Sequence, residues 1–407
     1  MSQYLLADRV VTGDSVHDDG AVLVRNGRIE AVGPADEVPT DADVMRSLDG
    51  YTVLPGLIDA HVHITGPPPR TDTVADLFRH SPAEVTVRTI QNARETIRAG
   101  VTTVRDLGSP NDVAMTVRDA IAEGTIDGPR ILTAGQGLTS TDGHGDLVPW
   151  HVKEHLTADS GTLGSKGLVV DGESDLRTAV RRQAALGADL IKVWATDGIN
   201  DRGGGTRLSY SPAEIEAIVD EADRHDLPVA AHAYSSEAIE VCVRAGVRSI
   251  EHGHFMDEAA IDLLADRGVF LTFTFAAFHS LTTAECYDNE TPQEALEHQR
   301  SMLPLAREYG VNFAMGTDAG TVVANGANGV ELKHMCDAGF DPLEAIRIAT
   351  EDTAALLGLD SVGQLESGYA ADLIAVEGDP LSDVRLLEDA GRIDLVIKEG
   401  VEIKNTL

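Results

Sequence analysis

The sequence predicts an α/β protein: a (β/α)8 TIM barrel carrying a small β-sandwich formed by both chain termini. Three observations predict it. Strand-like and helix-like segments alternate from about Gly56 to Leu359, with eight strand candidates in all. The flanking stretches, 1–55 and 360–407, read as strands alone. The length of 407 residues suits one barrel plus a smaller partner.

Taken in order, the first fifty residues hold YLLADRVVTG, GAVLVRNGRIEAVG and ADVMRSLDGYTVLPG, rich in β-branched residues and punctuated by Gly, Asp and Asn-Gly. The last forty hold GQLESGYAADLIAVEGDP and RIDLVIKEGVEI. Asn26-Gly27 and Glu399-Gly400 occupy comparable places, each between a strand leading in and one leading out. The two ends are therefore expected to share one domain, 1–55 plus 360–407, beside a barrel over 56–359. The barrel strands are LIDAHVHI (57–64), VTTVRDLG (101–108), RILTAGQG (130–137), LIKVWAT (190–196), PVAAHAYS (228–235), RSIEHGHF (248–255), VFLTFTFA (269–276) and VNFAMGTDAG (311–320). Helical periodicity separates them, and several helical segments end on Gly just before the next strand. Residues 138–172 and 277–292 read as irregular insertions. Such loops would lie over the C-terminal mouth, where barrels of this kind keep their active sites.

Composition narrows the function. With 43% hydrophobic and 24% charged residues the chain reads as globular rather than disordered. No apolar run reaches the roughly 18 residues of a membrane helix. The N-terminal MSQYLLADRVVTGD lacks a basic patch before an apolar core, so no signal peptide is expected. Cys242, Cys286 and Cys336 are odd in number and scattered, which favours a reducing cytoplasm over a disulfide framework. Asp and Glu total 67 against 32 Lys and Arg, a net charge of -35. That charge repels phosphate backbones and anionic lipids, so neither nucleic acid nor a membrane surface is an expected partner. The acids are spread along the chain, and only six of the cations are lysines. The pattern fits a halophilic protein kept hydrated in concentrated salt, with an acidic mesophilic protein as the alternative.

Several polar residues share one end of the predicted strands. His61 and His63 lie two apart in HVH, so their side chains share a strand face and can hold one cation. His232 in VAAHAY, His252 in SIEHGH and Asp318 in AMGTDAG end strands 5, 6 and 8. A lone His at a strand end is usually a satisfied polar residue, but four His and one Asp at matched depth call for a cation. The donor types suit Zn2+, with Mn2+, Co2+ or Fe2+ as alternatives. Lys192 sits in the apolar strand LIKVWA at the same depth. It is either a snorkelling or ion-paired lysine, or one converted by CO2 into a carbamate whose two oxygens bridge two metal ions. His151 and His155 in WHVKEH, His254 and His279 read most simply as surface or loop residues, and Phe273 and Phe275 as barrel packing.

LPGLIDAHVH, the strand-4 Lys, the strand-5 and strand-6 His, GTDAG and the return strand GQLESGYAADLIAV together resemble the amidohydrolase superfamily. The resemblance covers nearly the whole chain. It implies that His61, His63 and Asp318 hold one metal ion and His232 and His252 a second, with carboxylated Lys192 bridging. Within the superfamily, STDGHGD, KVWATDG, AHAY and HMCDAGFDPLEAIRIATEDTAALLG are similar to Xaa-Pro dipeptidases (prolidases) and N-acyl amino acid carboxypeptidases. It implies substrate contacts from His144 and Tyr234, although Tyr234 reads equally well as a packing tyrosine. Asn325 stands where relatives often carry a His.

The expected function is therefore binuclear metal-dependent hydrolysis of an amide bond in a small molecule, a dipeptide of Xaa-Pro type or an N-acyl amino acid. Water acidified by two divalent ions attacks the carbonyl, Asp318 shuttles the proton, and His144 stabilises the developing oxyanion. Two alternatives remain: a cyclic-amide hydrolase of imidazolonepropionase type, against which Lys192 argues, and a non-catalytic scaffold, against which the full ligand set argues. Barrels of this kind often pair, so a homo-oligomer is compatible with the sequence.

Overall fold

Asn26 and Gly27 both adopt positive φ, 53° and 80°, as do Glu399 and Gly400, 51° and 76°. Two consecutive left-handed residues match the twist of antiparallel strands, so each pair closes a tight hairpin. The first joins β2 (Val16–Arg25) to β3 (Arg28–Pro34), and the second joins β16 (Ile393–Lys398) to β17 (Val401–Asn405). The computed structural model describes all residues except 1, 14, 70, 111, 149–166, 202 and 284–289.

With β1 (Ser2–Val11), β4 (Val44–Pro55) and β15 (Leu373–Glu377), the hairpins form a seven-stranded sheet ordered β17-β16-β15-β4-β1-β2-β3. The sequence predicts a sandwich here; the backbone hydrogen bonding instead runs through one sheet. The reason is β4, which is twelve residues long. It pairs parallel with β1 from Val44 to Val53 and antiparallel with β15 from Tyr51 to Pro55. Leu5, Val22, Val24, Val53, Leu373, Leu395 and Ile397 from one face of the sheet gather in a core of their own.

β4 runs into β5 (Leu57–Val62) across Gly56, whose N–H donates to the Asp372 carbonyl. β5 is the first of the eight expected strands, and the other seven follow: β6 (Val101–Asp106), β7 (Arg130–Thr133) continued by β8 (Gly137–Thr139), β10 (Ile191–Trp194), β11 (Val229–Ser235), β12 (Ser249–Phe255), β13 (Phe270–Phe273) and β14 (Asn312–Met315). The third splits because β7 pairs with β6 whereas β8 pairs with β10 and with a short extra strand, β9 (Gly167–Val169). The strands are parallel and form two sheets, β5-β6-β7 and β14-β13-β12-β11-β10-β8-β9. Backbone hydrogen bonds tie the two together on both sides. Asp318 N–H donates to His61 O (2.8 Å) and His63 N–H to Ala319 O (2.7 Å), while Asp189 N–H donates to Thr133 O (2.9 Å).

The connecting helices start on legible signals. Ser-Pro-Ala-Glu occurs at 81–84 and again at 211–214. Both copies form a capping box at the head of a helix, Pro82–Arg98 and Pro212–Asp223. Each cap satisfies otherwise orphaned N–H groups and contributes about 1 kcal/mol. The helix Phe275–Thr282 takes the last two residues of the predicted strand 269–276 and the start of the segment 277–292 that reads as irregular. It forms because the buried Glu331 carboxyl accepts from Phe275 N–H (2.8 Å) and Ala276 N–H (2.7 Å). Phe273 and Phe275 are fully buried and stack at 5.0 Å, as expected of packing residues. Among the described residues no helix is long and apolar enough to cross a membrane.

Candidate active site

Asp59, His61 and His63 alternate along one face of β5 and its end, and all three are buried. His61 Nδ1 lies 2.9 Å from Glu251 Oε2, and His63 Nδ1 lies 2.9 Å from the Gly108 carbonyl. Both partners are acceptors, so each Nδ1 carries the proton and each Nε2 presents a lone pair. The two Nε2 atoms converge on Asp318 Oδ1, at 3.7 Å from His61 and 3.3 Å from His63. The donor atoms of the three residues all lie within 4.8 Å of one another, a group that could hold a metal ion.

Two of the site residues sit in left-handed backbone, Asp318 at φ 55° and His252 at φ 76°. Each costs on the order of 1–3 kcal/mol, so the surroundings must enforce it. For Asp318, the Asp59 carboxyl accepts from His61 N–H, Thr317 N–H, Thr317 Oγ1–H and Asn328 Nδ2–H, which pins the 317–318 turn against β5. Gly320, at φ 89°, leans so closely on the His63 carbonyl that any Cβ would clash. For His252, strand alternation should place it on the opposite face from Glu251. The β11–β12 pairing slips between Ala233 and Ser235, and the positive φ turns His252 back toward the same side. Glu251 thus reaches His61, and the His252 ring also lies 4.8 Å from the His61 ring.

Lys192 pairs with Ala230 and Trp194 with His232, so Lys192 and His232 face the same way from adjacent strands. Lys192 is 1% exposed, its Nζ 5.8 Å from the Trp194 ring centre. His232 lies with Nε2 3.2 Å from the Asp197 carbonyl, which leaves Nδ1 as its lone-pair nitrogen. The His232 ring is 4.7 Å from that of His252, 4.5 Å from Tyr234 and 5.0 Å from His144. His252 Nδ1 lies 2.7 Å from Thr274 Oγ1. The structure therefore gathers His61, His63, Lys192, His232, His252 and Asp318, with His144 and Tyr234 beside them. Burial, aided by the Lys192 charge, lowers the His61 pKa to about 4. Burial and cationic neighbours hold His232 and His252 well below the usual histidine range. Neutral rings are what metal ligation needs.

His61, His63, His232, His252 and Asp318 floor a cavity of about 280 Å3. His144, Tyr234 and Asp201 are among its polar lining residues, and Ile199, Phe278, Leu281 and Val322 among its apolar ones. Neither lysine nor arginine lines it among the described residues. Sequence reasoning missed Glu251 and Arg105. Glu251 is fully buried between His61 and Arg105, whose Nη2 lies 2.7 Å from Glu251 Oε1. Burial alone would raise its pKa, yet the Arg105 guanidinium and the His61 ring hold it at about 2. An acid inside the apolar strand SIEHGH was the available signal, of the same kind as Lys192. His254 is a correction: it is no surface residue but fully buried, its ring 3.5 Å from that of Phe278, because the kinked end of β12 turns it under the cavity wall. His279 lies on the helix Phe275–Thr282 and stacks on His334 at 4.0 Å. His151 and His155 lie outside the described residues.

Comparison with known proteins agrees with this geometry. Residues 52–403 match the Amidohydrolase family, and residues 20–42 match an imidazolonepropionase-like composite domain of bacteria. Ochratoxinase of Aspergillus niger is 30% identical over 97% of this chain and 85% of its own length. Its crystal structure superposes with a TM-score of 0.88, at 28% identity over 99% of this chain and 96% of that one. A Xaa-Pro dipeptidase with bound methionine in its active site superposes with a TM-score of 0.85, at 31% identity over 99% of both chains. Imidazolonepropionase of Pseudomonas putida is 26% identical over 96% of each chain.

Proposed function

Because the chain belongs to the amidohydrolase family, as a hydrolase of carbon–nitrogen bonds in its prolidase- and imidazolonepropionase-like group, we propose that it is a binuclear metal-dependent enzyme cleaving the amide bond of an Xaa-Pro-like dipeptide or an N-acyl amino acid. The observation that carries this reading is the convergence of His61, His63 and Asp318 on one point at the floor of a cavity. The fold reading that accompanies it is a closed (β/α)8 barrel over 56–359 with a terminal-strand domain of 1–55 and 360–407.

The donor set fits divalent ions. Three of the four ring histidines have one nitrogen held by an acceptor and the other left as a lone pair, and Asp318 supplies the anion. His61, His63 and Asp318 would hold one ion, His232 and His252 a second, with Lys192 as its carbamate between them. Zn2+ suits these donors, with Mn2+, Co2+ or Fe2+ as alternatives. Bound ions would supply acidification of water and polarisation of the amide carbonyl. Asp318 accepts the proton of the attacking water and returns it to the leaving nitrogen. His144 faces the cavity beside His232 and stabilises charge developing on the carbonyl oxygen. Tyr234 closes the wall between His232 and Phe278 and contacts the substrate carboxylate. Ile199, Phe278, Leu281 and Val322 favour an apolar side chain next to the scissile bond.

The test is a screen of Xaa-Pro dipeptides, N-acyl amino acids and cyclic amides with purified protein, alongside metal analysis. Release of a free amino acid with close to two ions per chain supports the reading. Turnover of cyclic amides alone, with one ion per chain, would instead favour the imidazolonepropionase type.

A further inference from the structure

The side chain that grips His144 is Asp201. Its Oδ2 accepts from His144 Nδ1 at 2.9 Å and from Gly198 N–H at 2.7 Å. Both residues are about two-fifths exposed, so an ordinary surface ion pair is the competing explanation. The surroundings argue for a built arrangement. A Cβ at Gly198 would fall on the His144 ring, so the ring edge rests against backbone there. The ring face lies on His232 at 5.0 Å and 20°.

The loop bearing Asp201 is itself anchored. The buried Asp197 carboxylate takes both Nε and Nη2 of Arg207 at 2.8 Å. Ser209 N–H donates to Ala195 O at 2.8 Å. Arg207 Nη2 also donates to the carbonyl of Asp142, two residues before His144, at 2.9 Å. One guanidinium therefore ties the His144 loop to the Asp201 loop. His144 and Asp201 both line the cavity.

We propose that Asp201 is the positioning residue of His144: it fixes Nδ1 as the protonated nitrogen and leaves Nε2 as the atom offered to substrate. The proposal rests on the amide-hydrolase reading of this cavity. A carboxylate only accepts, so Nδ1 must donate, and the hydrogen bond to the developing oxyanion comes from Nε2–H when His144 carries both protons. Asp201 does not touch the reacting atoms. The His144 contact holds its carboxyl below the usual carboxylate range although burial pushes it upward, in keeping with a standing acceptor.

The test uses the metal-loaded enzyme with 15N-labelled histidine. The His144 resonances are identified by their loss in His144→Gln. Asp201→Ala and Asp201→Asn are compared with wild type for ring-nitrogen protonation, kcat, KM and metal content. We expect the Nδ1–H population to fall, kcat/KM to drop roughly 10²-fold, the lower end of what a positioned acid–base group contributes, and metal content to stay unchanged. Asp201→Glu should recover part of the loss. Adding Asp201→Ala to His144→Gln should cost nothing further. An unchanged Nδ1–H population in both variants, or fully additive losses, overturns the proposal. The resonance measurement needs no substrate, so it decides the role of Asp201 even if the proposed amide activity is absent.

Discussion

Glu251 Oε2 stands 2.9 Å from His61 Nδ1 in a fully buried contact, and the carboxylate's other oxygen takes Arg105 and Ser249. Arg105 also donates to the Ala60 carbonyl, so one ion pair braces β5, β6 and β12 together. Glu251→Gln should weaken metal binding about 10- to 100-fold, the usual effect of losing a ligand's hydrogen-bond partner. Competition against a chelating dye measures this. Glu251→Ala leaves the Arg105 charge buried and alone, which should destabilise the metal-free protein by about 3–5 kcal/mol. A metal-free melt matching wild type would show that the pair does not brace the strands.

Asp318→Asn should keep the metal, because the amide oxygen still donates a lone pair, yet lose about 10²–10⁴-fold in kcat. Metal analysis and steady-state kinetics on the same sample check both halves. Near-normal turnover would remove the proton-shuttle role.

Lys192→Ala should bind less than two ions per chain, with partial recovery of activity on adding a short carboxylic acid. Full occupancy unaided would show that Lys192 does not bridge. Lys192→Ala also empties space beside Trp194, so the variant should be compared with Lys192→Met, which refills the volume without the charge.

Burial raises the Glu331 pKa from 4.5 to about 8 while the carboxyl caps the helix that carries Phe278 and Leu281. The folded chain therefore keeps a proton that the unfolded chain has released. Stability falls as pH rises from about 4.5 to about 8 and is level beyond, by at most about 1.4 kcal/mol per pH unit. Buried histidines act the other way: His254, lowered by burial from 6.5 to about 3, adds stability as pH rises through that interval. Only above 6.5 does the Glu331 contribution stand apart. Between pH 6.5 and 8 wild type should lose thermal stability that Glu331→Gln does not lose. Parallel curves for the two proteins would contradict this.

A surface of net charge -35 repels itself. Raising KCl from about 0.1 M to about 1 M shortens the screening length from about 10 Å to about 3 Å. The melting temperature should climb over that range and continue upward. A flat or falling melting temperature would contradict the halophilic reading.

The parts of the fold legible in the sequence are those set by local pattern. Eight strands, two Asn-Gly-like hairpins and the shared terminal sheet follow from alternation and from turn residues whose φ is positive. His61 and His63 were legible because a two-residue spacing on a strand means one face. Glu251 was not, because alternation assigns it and His252 to opposite sides. Only the slipped pairing and the left-handed His252 bring both inward, and a register slip between two paired strands leaves no mark in either strand's own pattern. Asp201 was hidden for a related reason. Its partner His144 lies 57 positions away on another loop, and Arg207 rather than any sequence spacing holds the two loops together.

The terminal sheet has a consequence for how the chain is made. β4 needs β15 on one flank, and β15 leaves the ribosome about 320 residues later. At a synthesis rate of about 5–20 residues per second, the nascent N-terminal strands wait roughly 15–60 s with that edge bare. Throughout that interval the emerging polypeptide carries an open β-edge, and its dense negative charge is then what keeps neighbouring nascent chains from zipping onto it.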